Sequence, residues 1–208
     1  MDMPPERDER SPVCDRSAGP IDPVATALVA IDCQGRFGPY LVGGKLENVI
    51  RLIHAAHAAK MPVVLTQHSD VDPDSVLSRF WRDDIVHGSD DWRLLPQVPV
   101  GTDDLLIQDK HTYDAFMRTS LERHLRERGI TTLIVTGAMT NLCCETTSRS
   151  AFTRDFDVIF VDDANGTRND AMHRASVDNL RFLGCRIMTT DGVVAAMAAS
   201  TGSSKEAR

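Results

Sequence analysis

Hydrophobic positions along the chain follow two alternating patterns. Short runs rich in apolar residues lie at 27–31, 62–65, 105–107, 133–135, 158–161 and 186–188, and these predict strands. Between them the apolar positions recur every three or four residues. Leu46, Val49, Ile50 and Ile53 share one face of a helix over 45–60, and Met117, Leu121 and Leu125 share another that Gly129 ends. Further helices are predicted over 141–152, over 171–183 with a stop at Gly184, and over 193–199. The strands lack polar alternation, so both their faces are buried, as in parallel sheets. With helices between them, the prediction is a three-layer α/β/α sandwich on a six-stranded, mainly parallel, doubly wound sheet.

Three stretches depart from this rhythm. Residues 1–22 and 200–208 are polar and aperiodic and read as a mobile arm and a flexible tail, leaving 23–199 as one domain. Residues 67–103 are too long for a plain connection and carry Trp81 and Trp92. Long segments of this kind in small domains serve as covers or interface elements.

Charge and cysteine content narrow the classes further. A net charge of −7 with no basic run argues against a nucleic-acid partner, which needs cations to displace counterions. No apolar stretch approaches the roughly 18 residues of a membrane span, and the charged, Pro-rich start has no apolar leader segment. The expectation is a cytoplasmic protein without a membrane partner, in which Cys14, Cys33, Cys143, Cys144 and Cys185 are reduced thiols. None of them forms a CxxC pair, so a structural zinc site is not expected.

Open α/β sheets bind ligands beyond the carboxyl ends of their strands. The first strand ends at Asp32, the third at Asp109-Lys110, and the fourth runs through Gly137-Ala138-Met139 into Thr140-Asn141-Leu142-Cys143-Cys144. A carboxylate, an amine and a thiol thus gather at one edge. With Thr140 as N-cap, Cys143 stands in the first helical turn, where free N–H groups lower a thiol's pKa and can receive an oxyanion. Each residue also has an ordinary role, as a buried small hydrophobe, a loop cap or a solvated charge. Their coincidence at three strand ends points to a thiol nucleophile with a base and a charge stabiliser.

These segments resemble the isochorismatase-like cysteine hydrolases, a family that includes nicotinamidases, N-carbamoylsarcosine amidohydrolases and ureidoacrylate hydrolases. The likeness covers about residues 24–195. It rests on Ala30-Ile31-Asp32-Cys33-Gln34 through Phe37, on Lys110 with Tyr113, Ala115 and Phe116, and on Gly137 through Thr147. The resemblance implies a triad of Asp32, Lys110 and Cys143 and chooses Cys143 over its neighbour. It implies a cis peptide at Met139–Thr140, and an oxyanion hole from the N–H groups of Met139 and Cys143. The implied reaction is hydrolysis of a small amide, ureide or carbamoyl C–N bond through a thioester, with no cofactor, in a homodimer or homotetramer. Gln34, Phe37, His68, Trp81, Tyr113, Phe116 and Thr140 are candidates for substrate binding. Cys33 stands where a hydrophobe is common and should only pack. Ser150 stands where an Asp is common. Nicotinamidases hold a metal through an Asp-x-His element after the second strand. Here that element begins at Thr66, followed by His68 and Asp70, so no metal is expected and nicotinamide is less favoured as substrate. Two other readings remain: a vinyl ether hydrolase on the same fold, against which Cys143 argues, and a redox sensor built on Cys143-Cys144. Adjacent helical cysteines do not face each other, which makes a poor switch.

Overall fold

The computed structural model describes residues 21–203 apart from Val71 and Asp83. In chain order the elements are β1 (Thr26–Ile31), a 3-10 turn (Gly35–Tyr40), α1 (Lys45–Ala58), β2 (Val63–His68), α2 (Val76–Trp81), β3 (Leu105–Lys110), α3 (Leu121–Glu127), β4 (Thr132–Ala138), a π-helical turn (Thr140–Cys144), α4 (Glu145–Phe152), β5 (Asp157–Gly166), α5 (Asp170–Leu183), β6 (Arg186–Met188) and α6 (Thr190–Ser203).

Alternation along β1 divides the core into two layers. Leu28 and Ala30 face Val49, Leu52 and Ile53 of α1 and Val193 and Met197 of α6. Ala27, Val29 and Ile31 face the opposite layer, with Leu121 and Leu125 of α3, Ala151 of α4 and Val177 and Leu180 of α5. The strands run β3-β2-β1-β4-β5-β6 and every pair is parallel. The winding reverses between β1 and β4, so a crevice opens there, beyond Ile31 and Ala138. This is the doubly wound three-layer architecture that the apolar runs predict.

Local chemistry shifts several boundaries. Met117 does not join α3; it lies in the preceding turn and is half exposed. Asp114 Oδ1 accepts the Phe116 N–H at 2.8 Å and Thr119 Oγ1 accepts that of Leu121 at 3.3 Å. Such side-chain acceptors compete with helical pairing and delay the helix. At the other end of the chain, Asp163 Oδ1 accepts from both the N–H and the hydroxyl of Thr190, and α6 starts there rather than at Val193. It continues to Ser203, beyond the expected start of the tail, and the Ser200 hydroxyl donates to the Ile21 carbonyl at 2.5 Å. Ile21 is itself buried, so it belongs to the domain rather than to the arm. The remainder of the predicted arm and tail lies outside the described residues.

The crevice end of β4 is shaped by Gly137. Its φ is +119°, and a Cβ placed on it would lie 2.1 Å from the Ile31 carbonyl oxygen, so only glycine lets β4 press against β1 there. The next peptide, Ala138–Met139, is cis, one bond earlier than the expected Met139–Thr140.

Candidate active site

Three strand ends deliver the three candidate residues. Asp32 follows β1 directly, Lys110 closes β3, and Cys143 stands in the π-helical turn after β4. Lys110 Nζ lies 2.5 Å from Asp32 Oδ2 and 3.4 Å from Cys143 Sγ. Asp32 and Lys110 are fully buried, and Cys143 is 4% exposed at the floor of a cavity of about 420 Å³. Asp32 has φ +47°, a left-handed conformation that asparagine and aspartate tolerate better than most residues. Both its ends meet one hydroxyl: Thr66 Oγ1 accepts the Asp32 N–H at 3.1 Å and donates to Asp32 Oδ1 at 2.6 Å. Thr66 sits on β2, between the strands carrying Asp32 and Lys110. In the sequence Thr66 stands at the place of a metal ligand in the resemblance, and its contact with Asp32 is a property of the fold alone.

Burial and charge set the protonation of the group. Burial opposes a charge on Lys110, yet the Asp32 carboxylate and the Cys143 sulfur beside it hold its pKa above the usual lysine value. The Cys143 thiol is pushed up to about 12, mainly by burial, with Lys110 pulling it down and Asp32 pushing it up. This corrects the expectation of a lowered thiol pKa. Two facts overturn that expectation: Cys143 is buried, and Thr140 opens a π-helical turn whose N-cap, Met139, gives no side-chain cap bond. Cys143 thus rests as a thiol beside a carboxylate. Moving its proton to Asp32 leaves the net charge of the buried group unchanged, so no unbalanced charge has to be buried. Cys33 is buried behind Asp32 with its thiol pushed up to about 12, which suits a packing role.

The expected substrate-binding residues divide into two groups. Phe37, His68, Trp81 and Tyr113 line the cavity, as do Met139 and Cys143. The Trp81 indole donates to the Tyr113 hydroxyl at 2.8 Å, which joins α2 to the segment after β3. Gln34 does not line it: its amide donates to the carbonyls of His68 and Trp92 and accepts the His68 N–H, splicing β2 to the 67–103 segment. Phe116 stacks on Phe156 in the core with the Arg154 guanidinium over its ring. Thr140 is fully buried and pairs with His173 Nδ1 at 3.0 Å. None of these three lines the cavity. The cavity also takes in Asp70 and Leu142, and Arg36, Tyr40, Leu77 and Ile85, the last four not singled out along the chain. Leu77, Trp81 and Ile85 come from the 67–103 segment, which therefore forms one wall.

His68 Nε2 faces Asp70 Oδ1 at 3.3 Å, and Asp70 Oδ2 accepts the Ile85 N–H at 2.9 Å. Burial raises the Asp70 pKa, but the His68 hydrogen bond and the Ile85 N–H outweigh it, and the carboxyl ends below its usual value. Among the described residues no group of three or more His, Cys, Asp or Glu side chains is arranged to hold a metal ion. Thr66, at the place of the nicotinamidase-type metal ligand, is turned to Asp32. Nor, among those residues, is any helix long and apolar enough to cross a membrane.

Residues 26–192 match the Isochorismatase domain family. The chain belongs to the isochorismatase family. Among curated relatives, nicotinamidase 3 of Arabidopsis thaliana is 36% identical over 162 residues, which cover 75% of this chain and 80% of that protein. Ureidoacrylate amidohydrolase RutB of Methylobacterium radiotolerans is 28% identical over 193 residues, 77% of this chain and 74% of that one. Among solved structures, a cysteine hydrolase from Pseudomonas syringae superposes with a TM-score of 0.81 at 25% identity, covering 88% of this chain and 97% of that chain. N-carbamoylsarcosine amidase from Thermoplasma acidophilum gives 0.70 at 25% identity, covering 80% and 96%. The fold is thus shared over nearly the whole of these two solved chains.

Proposed function

We propose that this isochorismatase-family chain is a cysteine-dependent amidohydrolase. It would cleave the C–N bond of a small amide, ureide or carbamoyl compound through a thioester on Cys143. The observation that carries this reading is the convergence of Asp32, Lys110 and Cys143 within 2.5 and 3.4 Å contacts at the floor of a cavity. The named activities of the relatives, on nicotinamide, ureidoacrylate and N-carbamoylsarcosine, support the bond type.

Asp32 takes the Sγ proton as the sulfur attacks the substrate carbonyl carbon. The oxyanion is received by the N–H groups of Met139 and Cys143, and Lys110 balances charge on Asp32 and the sulfur. Asp32 then gives its proton to the leaving nitrogen, and the C–N bond breaks. A water, deprotonated by Asp32, hydrolyses the thioester; the acid leaves and the thiol is restored. The aromatic wall of Phe37, Trp81 and Tyr113 suits a small, flat acyl group, with His68 and Asp70 supplying polar contacts.

The test is ammonia release from a panel of nicotinamide, benzamide, acetamide and N-carbamoylglycine, with trapping of an acyl adduct by mass spectrometry. Cys143→Ala should remove turnover and the adduct while the protein still folds, and Cys144→Ala should keep most of the activity. Full activity in Cys143→Gly, or a dead Cys144→Ala beside an active Cys143→Ala, overturns the proposal.

A further inference from the structure

A second set of hydrogen bonds reaches the nucleophile turn from the side away from the cavity. Asp162 on β5 pairs with His173 Nε2 at 2.7 Å, and His173 Nδ1 pairs with Thr140 Oγ1 at 3.0 Å. His173 stands in the first turn of α5, whose N-cap Asn169 accepts the Met172 N–H at 2.9 Å and so fixes where that turn begins. Thr167, just beyond β5, donates its hydroxyl to the Asn141 side chain, so two consecutive residues of the turn are held from the β5–α5 corner. Met139, Leu142 and Cys143 line the cavity, whereas Thr140 and His173 do not. The relay therefore acts on the reaction only through the backbone of the turn.

The donor pattern follows from the partners. A carboxylate accepts, so His173 Nε2 carries the hydrogen toward Asp162. In the neutral ring Nδ1 then accepts, and the Thr140 hydroxyl donates to it. Thr140 is thereby tied at its side chain while its backbone sits between the two N–H groups assigned to the oxyanion. On its N-terminal side is Met139, whose carbonyl already accepts the N–H groups of Leu142 and Cys144, each at 3.1 Å. On its C-terminal side the turn leads to Cys143. A tied Thr140 fixes the directions of both donors relative to the sulfur.

From this geometry we infer that Asp162, His173 and Thr140 form a positioning relay that holds the oxyanion donors of the Cys143 turn. His173 is its central positioning residue. The inference rests on the hydrolase reading above and adds residues that never touch substrate. Its expected signature is a loss in the chemical step with ground-state binding unchanged, because the donors act on charge that develops only in the transition state.

The test uses the full chain and whichever amide of the panel turns over fastest. Thr140→Val removes the hydroxyl at nearly constant shape, and Thr140→Ser keeps it. Thr140→Val and His173→Ala should each lower kcat by about 10-fold or more with KM within about threefold, while Thr140→Ser regains most of the rate lost in Thr140→Val. The double variant Thr140→Val/His173→Ala should be no worse than either single one, since both break one bond. Alkylation of Cys143 by iodoacetamide, which forms no oxyanion, should keep its wild-type rate in all of them. Thermal unfolding confirms that each variant is folded. Unchanged kcat in folded Thr140→Val, or multiplicative losses in the double variant, overturns the relay. A parallel fall in alkylation also overturns it, because the damage then lies in the thiol. An inactive wild-type enzyme, by contrast, counts against the hydrolase reading; the donor geometry is then read from binding of benzaldehyde as a hemithioacetal on Cys143, which Thr140→Val should weaken by a similar factor.

Discussion

At the scale of single residues, the decisive feature is a buried ion pair that a third group completes. Lys110 and Asp32 are fully buried and 2.5 Å apart, with Thr66 holding the other carboxylate oxygen. Taking two charges out of water is costly, and removing one partner leaves the other uncompensated. Lys110→Met should therefore destabilise the fold by about 3–5 kcal/mol. The double variant Lys110→Met/Asp32→Asn should recover much of that loss, because no lone charge remains and asparagine accepts the left-handed backbone at position 32. Urea unfolding of the three proteins decides the point; a double variant weaker than Lys110→Met would show that the pair is not the source of the loss. Both residues were visible in the sequence as polar ends of apolar runs. Thr66 was visible too, but nothing along the chain says that its hydroxyl reaches the residue after another strand.

At the scale of elements, the segment carrying Lys110 is fastened to α4 through Ser150. The Ser150 hydroxyl donates to Asp114 Oδ2 at 2.7 Å, and Arg154 donates to the Ser150 carbonyl at 3.0 Å and to its hydroxyl oxygen. Asp114 in turn shapes the bend after β3 by accepting the Phe116 N–H. Serine at this place, where an aspartate is common in the family resemblance, lets one hydroxyl donate to a carboxylate and accept from a guanidinium. Ser150→Ala should lower stability by about 1 kcal/mol, the usual worth of such a bond. Its main effect should fall on hydrogen exchange of the 112–120 backbone, which should speed up relative to the strands. Unchanged exchange there would mean that Asp114 holds the bend without Ser150. The same bend explains why Met117 misleads a periodicity argument: the spacing to Leu121 and Leu125 is helical, but side-chain acceptors capture the N–H groups that a helix would need.

At the scale of the whole molecule, burial of thiols makes stability depend on alkaline pH. Cys33, Cys143 and Cys185 are each pushed up to about 12 by burial, while an unfolded thiol titrates near 9. Lys110 is also held above its unfolded value, by Asp32 and Cys143 against burial. Groups raised on folding contribute stability that is complete below their unfolded pKa and is lost as pH climbs toward the folded one. Unfolding free energy should thus hold through neutral pH and fall from about pH 9 upward, by as much as about 1.4 kcal/mol per pH unit for each thiol. Urea titrations at pH 8, 9 and 10 measure it, and Cys185→Ala should flatten the slope. A stability that rises across this range would contradict the burial of these groups.

The apolar runs and their spacing determined the layers, the parallel winding and the three strand ends at which Asp32, Lys110 and Cys143 lie. Those features depend on local periodicity and on a general rule about where strands end, and both can be read along the chain. Only the tertiary structure decided that Gln34, Phe116 and Thr140 stay off the cavity lining, that Thr66 bonds to Asp32 and His173 to Thr140, and that the Cys143 thiol is raised rather than lowered. Each of these depends on which groups meet once the chain is folded and on how deeply they are buried. Hydrogen-bond partners and desolvation are properties of the assembled neighbours, and residues distant in the chain supply them.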